Sequence, residues 1–382
     1  MSEREQLRRD RFIKTMEESK LDGYLIVDPT NVSYLTGFNG EDSYLWFGDS
    51  GVCLLSDTRF DEQIKQECPD VSALIRHSGQ STLGLLDQAI LDKKYSSRPP
   101  KRVGIEASAT TVALMNSLTA KFESVEFVPR SDDVERLREI KDAGEIQAIR
   151  EAIDVSIDAY LYLRQNTASD ATEVDLRDEL EYRMRKLGGD DVSFPSIIAF
   201  DARAALPHAI PQRGRRWGES YMCLIDWGAK KNGYVGDLTR SFLTDRGLEE
   251  TEQSRAYRAK FEEVFSVVKE AHDAAIAAMT PGVKCNAIDK IARDTIAKAG
   301  YGDYFGHGLG HGIGRVVHDF GGLSPRHDAL LAPGMILTVE PGIYLPDWGG
   351  ISLYQPAQAQ LGPLCGSDLQ PLADCLSRHR LC

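Results

Sequence analysis

The sequence predicts a two-domain chain of the α/β (α+β) class. Three observations carry that expectation. The chain has 382 residues, enough for two hydrophobic cores of ordinary domain size. Strand and helix patterns are mixed through its first third. From residue 136 onward, amphipathic helices precede groups of strands. The boundary falls in "VEFVPRSDDVERLREIKDA", which places the domains at 1–135 and 136–382, with 351–382 standing apart as an atypical tail.

In the first domain, 5–19 and 59–67 have helical periodicity. "DGYLIVDPT" and "YLWFGDSGVCLLSD" read as strands, the second folded into a hairpin at Gly48-Asp49-Ser50-Gly51, and "KRVGIEAS" adds another. In the second domain Asp142 is placed to cap a helix, with Glu145 three residues on and Ile146, Ile149, Ile153 and Ile157 at helical spacing. "TEVDLRDELEYRMRKLGG" is a further amphipathic helix, stopped by Gly188-Gly189. Helices at about 251–279 and 286–299 follow, the first closed by Pro281-Gly282. The helix-then-strand order occurs twice, a hint of internal duplication.

Composition narrows the function. Lys+Arg 45 against Asp+Glu 58 gives a net charge of −13, which argues against a nucleic-acid partner because phosphate would be repelled. The N-terminus "MSEREQLRRDRFIKTMEES" is charged throughout, unlike a signal peptide, and no apolar run is long enough to span a bilayer. The seven cysteines include no CxxC pair, which suits a reduced, cytoplasmic protein with incidental thiols. Three of them crowd into the last 18 residues.

Carboxylates interrupt two apolar strands. In "YMCLIDWGAKKNGYVGDLTRSF" an apolar run ends in Asp226, Asn232-Gly233 is a two-residue hairpin turn, and the returning strand carries Asp237. Residues whose numbers sum to 465 then face each other, so Asp226 opposes Thr239 and Asp237 is its diagonal neighbour on one face. Two buried aspartates there call for a cation between them; the bland alternative is a solvent-facing pair near a turn. In "GMILTVEPGIYL" Glu340 ends a similar run, either toward a buried partner or as an edge-strand residue in water.

The segment "GHGLGHGIGRVVHDF" holds three of the eight histidines, His307, His311 and His318. It lacks the third glycine of a dinucleotide loop and the H-E-x-x-H of a zincin helix. Two readings stay open: a histidine ligand on glycine-rich backbone joined to carboxylates from elsewhere, or a chance cluster of polar core residues. A mixed oxygen and imidazole set suits Mn²⁺, Co²⁺ or Zn²⁺.

These residues together resemble the pita-bread metallopeptidases that include aminopeptidase P and prolidase. "NVSYLTGF" and "LLSDTRF" resemble the creatinase-like N-terminal domain, and "ERLREIKDAGEIQAIREA" its inter-domain helix. "LPHAIP", "IDWGAKKNGYVGDLTRSF", "HGLGHGIGRVVHD" and "GMILTVEPGIYLPDWGG" follow the catalytic-domain motifs in order. The resemblance implies a creatinase-like domain followed by a pita-bread domain, and hydrolysis of the bond preceding proline in peptides or dipeptides. It implies Asp226, Asp237, His311 and Glu340 as metal ligands, Asp237 in the bridging position, for two ions, Mn²⁺ before Co²⁺ or Zn²⁺. It implies His208 and His318 as histidines that contact substrate and move protons, His307 as an outer-shell histidine, and a homodimer.

One place departs from the family. After the glycines of "PDWGG" the family reads close to G-I-R-I-E-D, the glutamate being the fifth, metal-bridging ligand. Here Ser352, Tyr354 and Gln355 stand in place of the arginine, glutamate and aspartate. The hairpin register around Asp347–Gly349 places a residue near 354 opposite Glu340. From 352 to the end there are two acidic residues, Asp368 and Asp374, against 56 in the preceding 351 positions, so the tail reads as a replaced segment. The change implies an impaired second metal position. It keeps alive a pita-bread binding module or pseudoenzyme. The four retained ligands speak against a metal-independent, creatinase-like amidinohydrolase.

Overall fold

The computed structural model describes residues 3–358, which divide into two compact units, one through Leu137 and one from Arg138. The first begins with α1 (Glu3–Glu18), β1 (Gly23–Ile26), α2 (Pro29–Thr36), β2 (Tyr44–Gly48) and β3 (Val52–Asp57). It continues with α3 (Asp61–Glu67), β4 (Ser72–Arg76), α4 (Thr82–Leu91), β5 (Arg102–Glu106), α5 (Val112–Lys121) and β6 (Glu126–Arg130). Its six strands form one sheet in the order β4-β3-β2-β1-β5-β6. The β2–β3 hairpin turns where the sequence places it, with Gly48 N–H on the Gly51 carbonyl at 2.9 Å. One apolar cluster is built on Phe12, Tyr24, Val32, Leu35 and Phe47, another on Leu25, Trp46, Leu86, Val103 and Ile105. Neighbouring residues of β1 thus feed different cores, as a strand covered on both faces requires.

A short helix, α6 (Glu135–Glu139), leads into the second unit. There α7 (Ala143–Asn166) and α8 (Glu173–Lys186) come first, then β7 (Asp191–Val192), β8 (Ile197–Phe200), β9 (Met222–Trp227), β10 (Ala229–Lys231), β11 (Tyr234–Val235) and β12 (Leu238–Leu243). Next are α9 (Asp245–Leu248), α10 (Glu252–Ala278) and α11 (Cys285–Lys298), then β13 (Gly310–Gly312), β14 (Asp319–Leu323), β15 (Ile336–Val339), β16 (Gly342–Leu345) and β17 (Gly349–Gln358). The cap on α7 has the anticipated form: the Asp142 carboxylate accepts from Glu145 N–H and the Glu145 carboxylate accepts from Asp142 N–H.

The large sheet runs β14-β13-β15-β17-β12-β9-β8, with β16 also paired to β17. Helices α7 and α8 cover one part of it through Tyr160, Leu163, Leu176 and Leu180 against Ile225, Trp227 and Leu238. Helices α10 and α11 cover another through Val264, Val268, Ile288 and Ala292 against Leu224, Leu337, Val339 and Ile351. Tyr160 stacks on Trp227 with ring centroids 4.7 Å apart; truncating a buried ring such as Trp227 to Ala costs about 3–5 kcal/mol. Helices α7 and α8 stand N-terminal to the strands they cover, whereas α10 and α11 pack on strands that follow them and also on β9, which precedes them.

The register from 222 to 243 holds the sum of 465 throughout: Asp226 faces Thr239, and Lys231 faces Tyr234 across the turn. Asn232 at φ 51° and Gly233 at φ 75° supply the two left-handed positions that a two-residue turn of this kind needs.

Candidate metal centre

The site is assembled along one row across the large sheet. Ile197, Asp226, Thr239 and Tyr354 are successive partners on β8, β9, β12 and β17. The row continues on the next strand. Val339 faces Gln355 and Gly342 faces Ser352, so every pair sums to 694, and Glu340, between β15 and β16, lies across from Tyr354. This is the place that the Asp347 turn assigns to residue 354; Asp347 itself adopts φ 65°.

Both bland readings of the carboxylates fail. Asp237 is 2% exposed, and β15 lies between β13 and β17 rather than at an edge. Asp226 is half-buried, with its Oδ1 enclosed. Asp226 Oδ1 and Asp237 Oδ1 have no hydrogen-bond partner among the described residues. Buried oxygens of this kind are rare unless something cationic reaches them.

His311 comes from β13. Its Nδ1 lies 2.9 Å from the Gly312 carbonyl, which can only accept, so Nδ1 carries a hydrogen and Nε2 faces the carboxylates. Nε2 is 3.1 Å from Glu340 Oε1 and 3.8 Å from Asp237 Oδ2. Thr338, two residues before Glu340 and on the same face, donates its hydroxyl to Glu340 Oε1. His318 packs edge-on against His311 at 4.4 Å. His307 Nδ1 donates to the Gly308 carbonyl, and its Nε2 is 3.2 Å from the Tyr344 hydroxyl. His208 is exposed on the segment after β8.

At the centre stands Tyr354. Its hydroxyl donates to Asp237 Oδ2 at 2.6 Å and lies 2.9 Å from His311 Nε2. The side chain is 5% exposed.

The electrostatics follow from crowding anions in a dry place. Burial, then the charge of Glu340, pushes the Asp226 carboxyl up to about 7, against a bond from Thr239. Burial and the charges of Asp226 and Glu340 hold the Asp237 carboxyl well above the ordinary range. Burial disfavours the charged form of His311, but its bond to Glu340 and that residue's charge outweigh it and raise the imidazole. Burial and the neighbouring His311 lower His318. The Tyr354 phenol is raised well above its usual value by burial and by Asp237, Glu340 and Asp226.

Three carboxylates and one imidazole nitrogen, two of the carboxylate oxygens orphaned, form a donor set suited to a hard or borderline divalent ion. Their spacing is not that of a closed cage. Among the described residues no three His, Cys, Asp or Glu side chains surround one point as an ion's ligands would. The phenol stands among them, takes one oxygen of Asp237 and abuts the nitrogen of His311. The residues fit one cation that draws them inward. The phenol, still protonated and donating to Asp237, adds no anionic oxygen to this set.

Residues 147–355 match the model of metallopeptidase family M24, and residues 8–140 that of the creatinase/prolidase N-terminal domain. The chain belongs to that metallopeptidase family. It is 34% identical over 333 residues to the peptidase YqhT of Bacillus subtilis, covering 87% of this chain and 89% of that one. It is 29% identical over 349 residues to the Xaa-Pro dipeptidase of Pyrococcus furiosus, covering 91% and 93%. The crystal structure of an X-Pro aminopeptidase from Thermotoga maritima superposes with a TM-score of 0.80 at 31% identity, covering 90% of this chain and 95% of that one. The fold is therefore the family's, a creatinase-like N-terminal domain and a pita-bread domain.

The structure also contributes residues that sequence reasoning passed over. Thr338 orients Glu340, and Tyr344 fixes the His307 ring. Period-two spacing from Glu340 could have flagged Thr338; Tyr344 falls on the same spacing, but beyond the break in the strand at Pro341.

No helix among the described residues is long and apolar enough to cross a membrane. The four described cysteines, Cys53, Cys68, Cys223 and Cys285, are free and buried; the other three lie outside the described residues.

Proposed function

We propose that the chain is an exopeptidase acting on the bond before proline, as an Xaa-Pro aminopeptidase or dipeptidase, with one competent metal position and an impaired second. The observation that carries this reading is the convergence of Asp226, Asp237, Glu340 and His311 from four strands or strand ends, with His318 against His311. Asp226, Asp237, His311 and Glu340 would hold the ion, Mn²⁺ ahead of Co²⁺ or Zn²⁺. The chemistry such an ion supplies is Lewis acidity, which makes a water acidic near neutral pH and polarises a carbonyl.

The chain's own groups supply the rest. Glu340, oriented by Thr338, accepts a proton from the attacking water. His318, held toward its neutral form, donates a hydrogen bond to the oxygen of the scissile carbonyl. His208, exposed at the end of its loop, meets the incoming peptide. A substrate with proline after the scissile bond has no N–H there and a fixed φ, which suits a site that does not depend on an extended, hydrogen-bonded peptide.

A panel pairing each Xaa-Pro peptide with its Xaa-Ala counterpart tests the reading. Cleavage confined to the proline series and lost in His318→Ala supports it. Equal rates on both series would refute the specificity. A second reading, a binding module on the same scaffold, is favoured by one observation: the Tyr354 hydroxyl ties Asp237 to His311. Proline peptides bound but never cleaved, with no metal retained, would select it.

A further inference from the structure

We infer that Glu173, Asp289 and Asp319 are positioning residues, each fixing the loop that presents one of the three histidines His208, His307 and His318. The inference rests on the roles proposed above for His208 and His318 and on His307 being the outer-shell histidine that the resemblance implies. Each carboxylate is almost wholly buried, at 1%, 1% and 7% exposure. Each is paired with a guanidinium, and each accepts main-chain N–H groups from its histidine's own segment. A buried carboxylate is costly unless such bonds satisfy it, so the pattern marks groups built into the fold.

Glu173 opens α8 and holds both ends of the segment around His208. Its Oε1 accepts from Phe200 N–H at 2.8 Å, and its Oε2 accepts from Gln212 N–H at 2.8 Å. Arg203 binds the same carboxylate at 3.1 Å and donates to the Ile210 carbonyl at 2.5 Å. Four points of attachment therefore bracket His208.

Asp289 on α11 accepts from Leu309 N–H at 3.0 Å and from Arg293 at 2.9 and 3.0 Å. Arg293 in turn donates to the carbonyls of Phe305 at 3.0 Å and His307 at 2.8 Å. Three main-chain groups between 305 and 309 are thus taken up by one ion pair. That matters because Gly306 and Gly308 would otherwise leave this stretch free to wander. The Phe305 ring, under the Arg293 guanidinium at 4.5 Å, meets His307 edge-on at 5.1 Å.

Asp319 follows His318 directly. It accepts from Phe320 N–H at 2.8 Å, Arg315 N–H at 3.3 Å and the Arg138 guanidinium at 2.7 Å. The same device recurs at all three loops, and none of these carboxylates reaches the metal centre. Proton-transfer groups must be placed to within a fraction of an ångström, and loops hold such positions only when their backbone is tied down.

The test reads the imidazoles directly and needs no peptidase activity, so it stands whether or not the proposed function does. The full chain is labelled with ¹⁵N-histidine, and ring signals are assigned with His208→Ala, His307→Ala and His318→Ala. Glu173→Gln, Asp289→Asn and Asp319→Asn are then compared with the parent at one pH. Each is expected to shift or broaden its own histidine's signal and leave the other two in place; in Asp289→Asn the Nδ1–H signature of His307 is lost. Arg203→Lys, Arg293→Lys and Arg138→Lys, which keep the charge, are expected to give smaller shifts at the same histidines, and they carry the test where a carboxamide variant does not fold. Folded variants with unmoved imidazole signals would overturn the inference. So would variants that move all three together, or a pair in which neither member folds, because the residue would then be holding the domain rather than one loop.

Discussion

Two hairpins build the centre, and they differ in an instructive way. The first, 222–243, keeps one register sum across its whole length and delivers Asp226 and Asp237 to one face. The second, 336–358, is as regular, with Val339 on Gln355 and Gly342 on Ser352. It delivers Glu340 and, across from it, Tyr354. Backbone pairing places a residue, and the side chain decides what can be done there. Under the proposed function the first hairpin supplies two carboxylate ligands, whereas the second supplies Glu340 and, at the facing position, a phenol.

Restoring the second hairpin should have the largest effect. Replacing Ser352, Leu353, Tyr354 and Gln355 with Arg, Ile, Glu and Asp is expected to add a second retained metal and raise Xaa-Pro cleavage by about 100-fold or more, the scale of several kcal/mol of charge stabilisation. Tyr354→Glu alone should recover less, because the strand's other contacts stay as they are. Kinetics and elemental analysis on the two variants check the order. Equal, unchanged values in both would break the contrast between the hairpins.

Damaging the first hairpin should act in the opposite direction. Asp237→Asn removes an anionic ligand but keeps size and register, and it should lower retained metal about 10-fold or more while the melting temperature stays near or above that of the parent. The sign of the stability term follows from burial: without metal, the Asp237 carboxyl is held well above its ordinary range, so a neutral amide relieves repulsion. Metal content unchanged in this variant would sink the ligand assignment.

Turn chemistry separates position from function. Gly233 has φ 75°, so Gly233→Ala should cost about 1–2 kcal/mol in chemical denaturation, with metal retention unaffected once the protein is folded. Smaller still, Thr338→Val should remove the bond to Glu340 for about 1 kcal/mol and lower kcat more than KM.

Much of this was legible in the sequence, for reasons that can be stated. Asn232-Gly233 fixes a hairpin's register locally, so the facing of Asp226 and Thr239 can be counted from the turn alone. The α7 cap is equally local, written in Asp142 and Glu145. What escaped depends on distance or on short elements. Helices α4 and α5, ten residues each, carry too few turns for periodicity to stand out. That β17 pairs with β12, with Tyr354 meeting Thr239 from 115 residues away, is a tertiary choice no local pattern encodes. At the site, the carboxylates and histidines announced themselves as costly residues in apolar text. Thr338, Tyr344 and the carboxylates of Glu173 and Asp289 did not, because their worth lies in what they touch.

Metal stoichiometry tests the central claim most directly. The unaltered chain, loaded with excess Mn²⁺ and passed through gel filtration, is expected to retain fewer than two equivalents per chain, since under the proposed function a phenol at 354 leaves two cations with one carboxylate fewer to offset their repulsion. Two equivalents retained, together with robust Xaa-Pro cleavage, would contradict it.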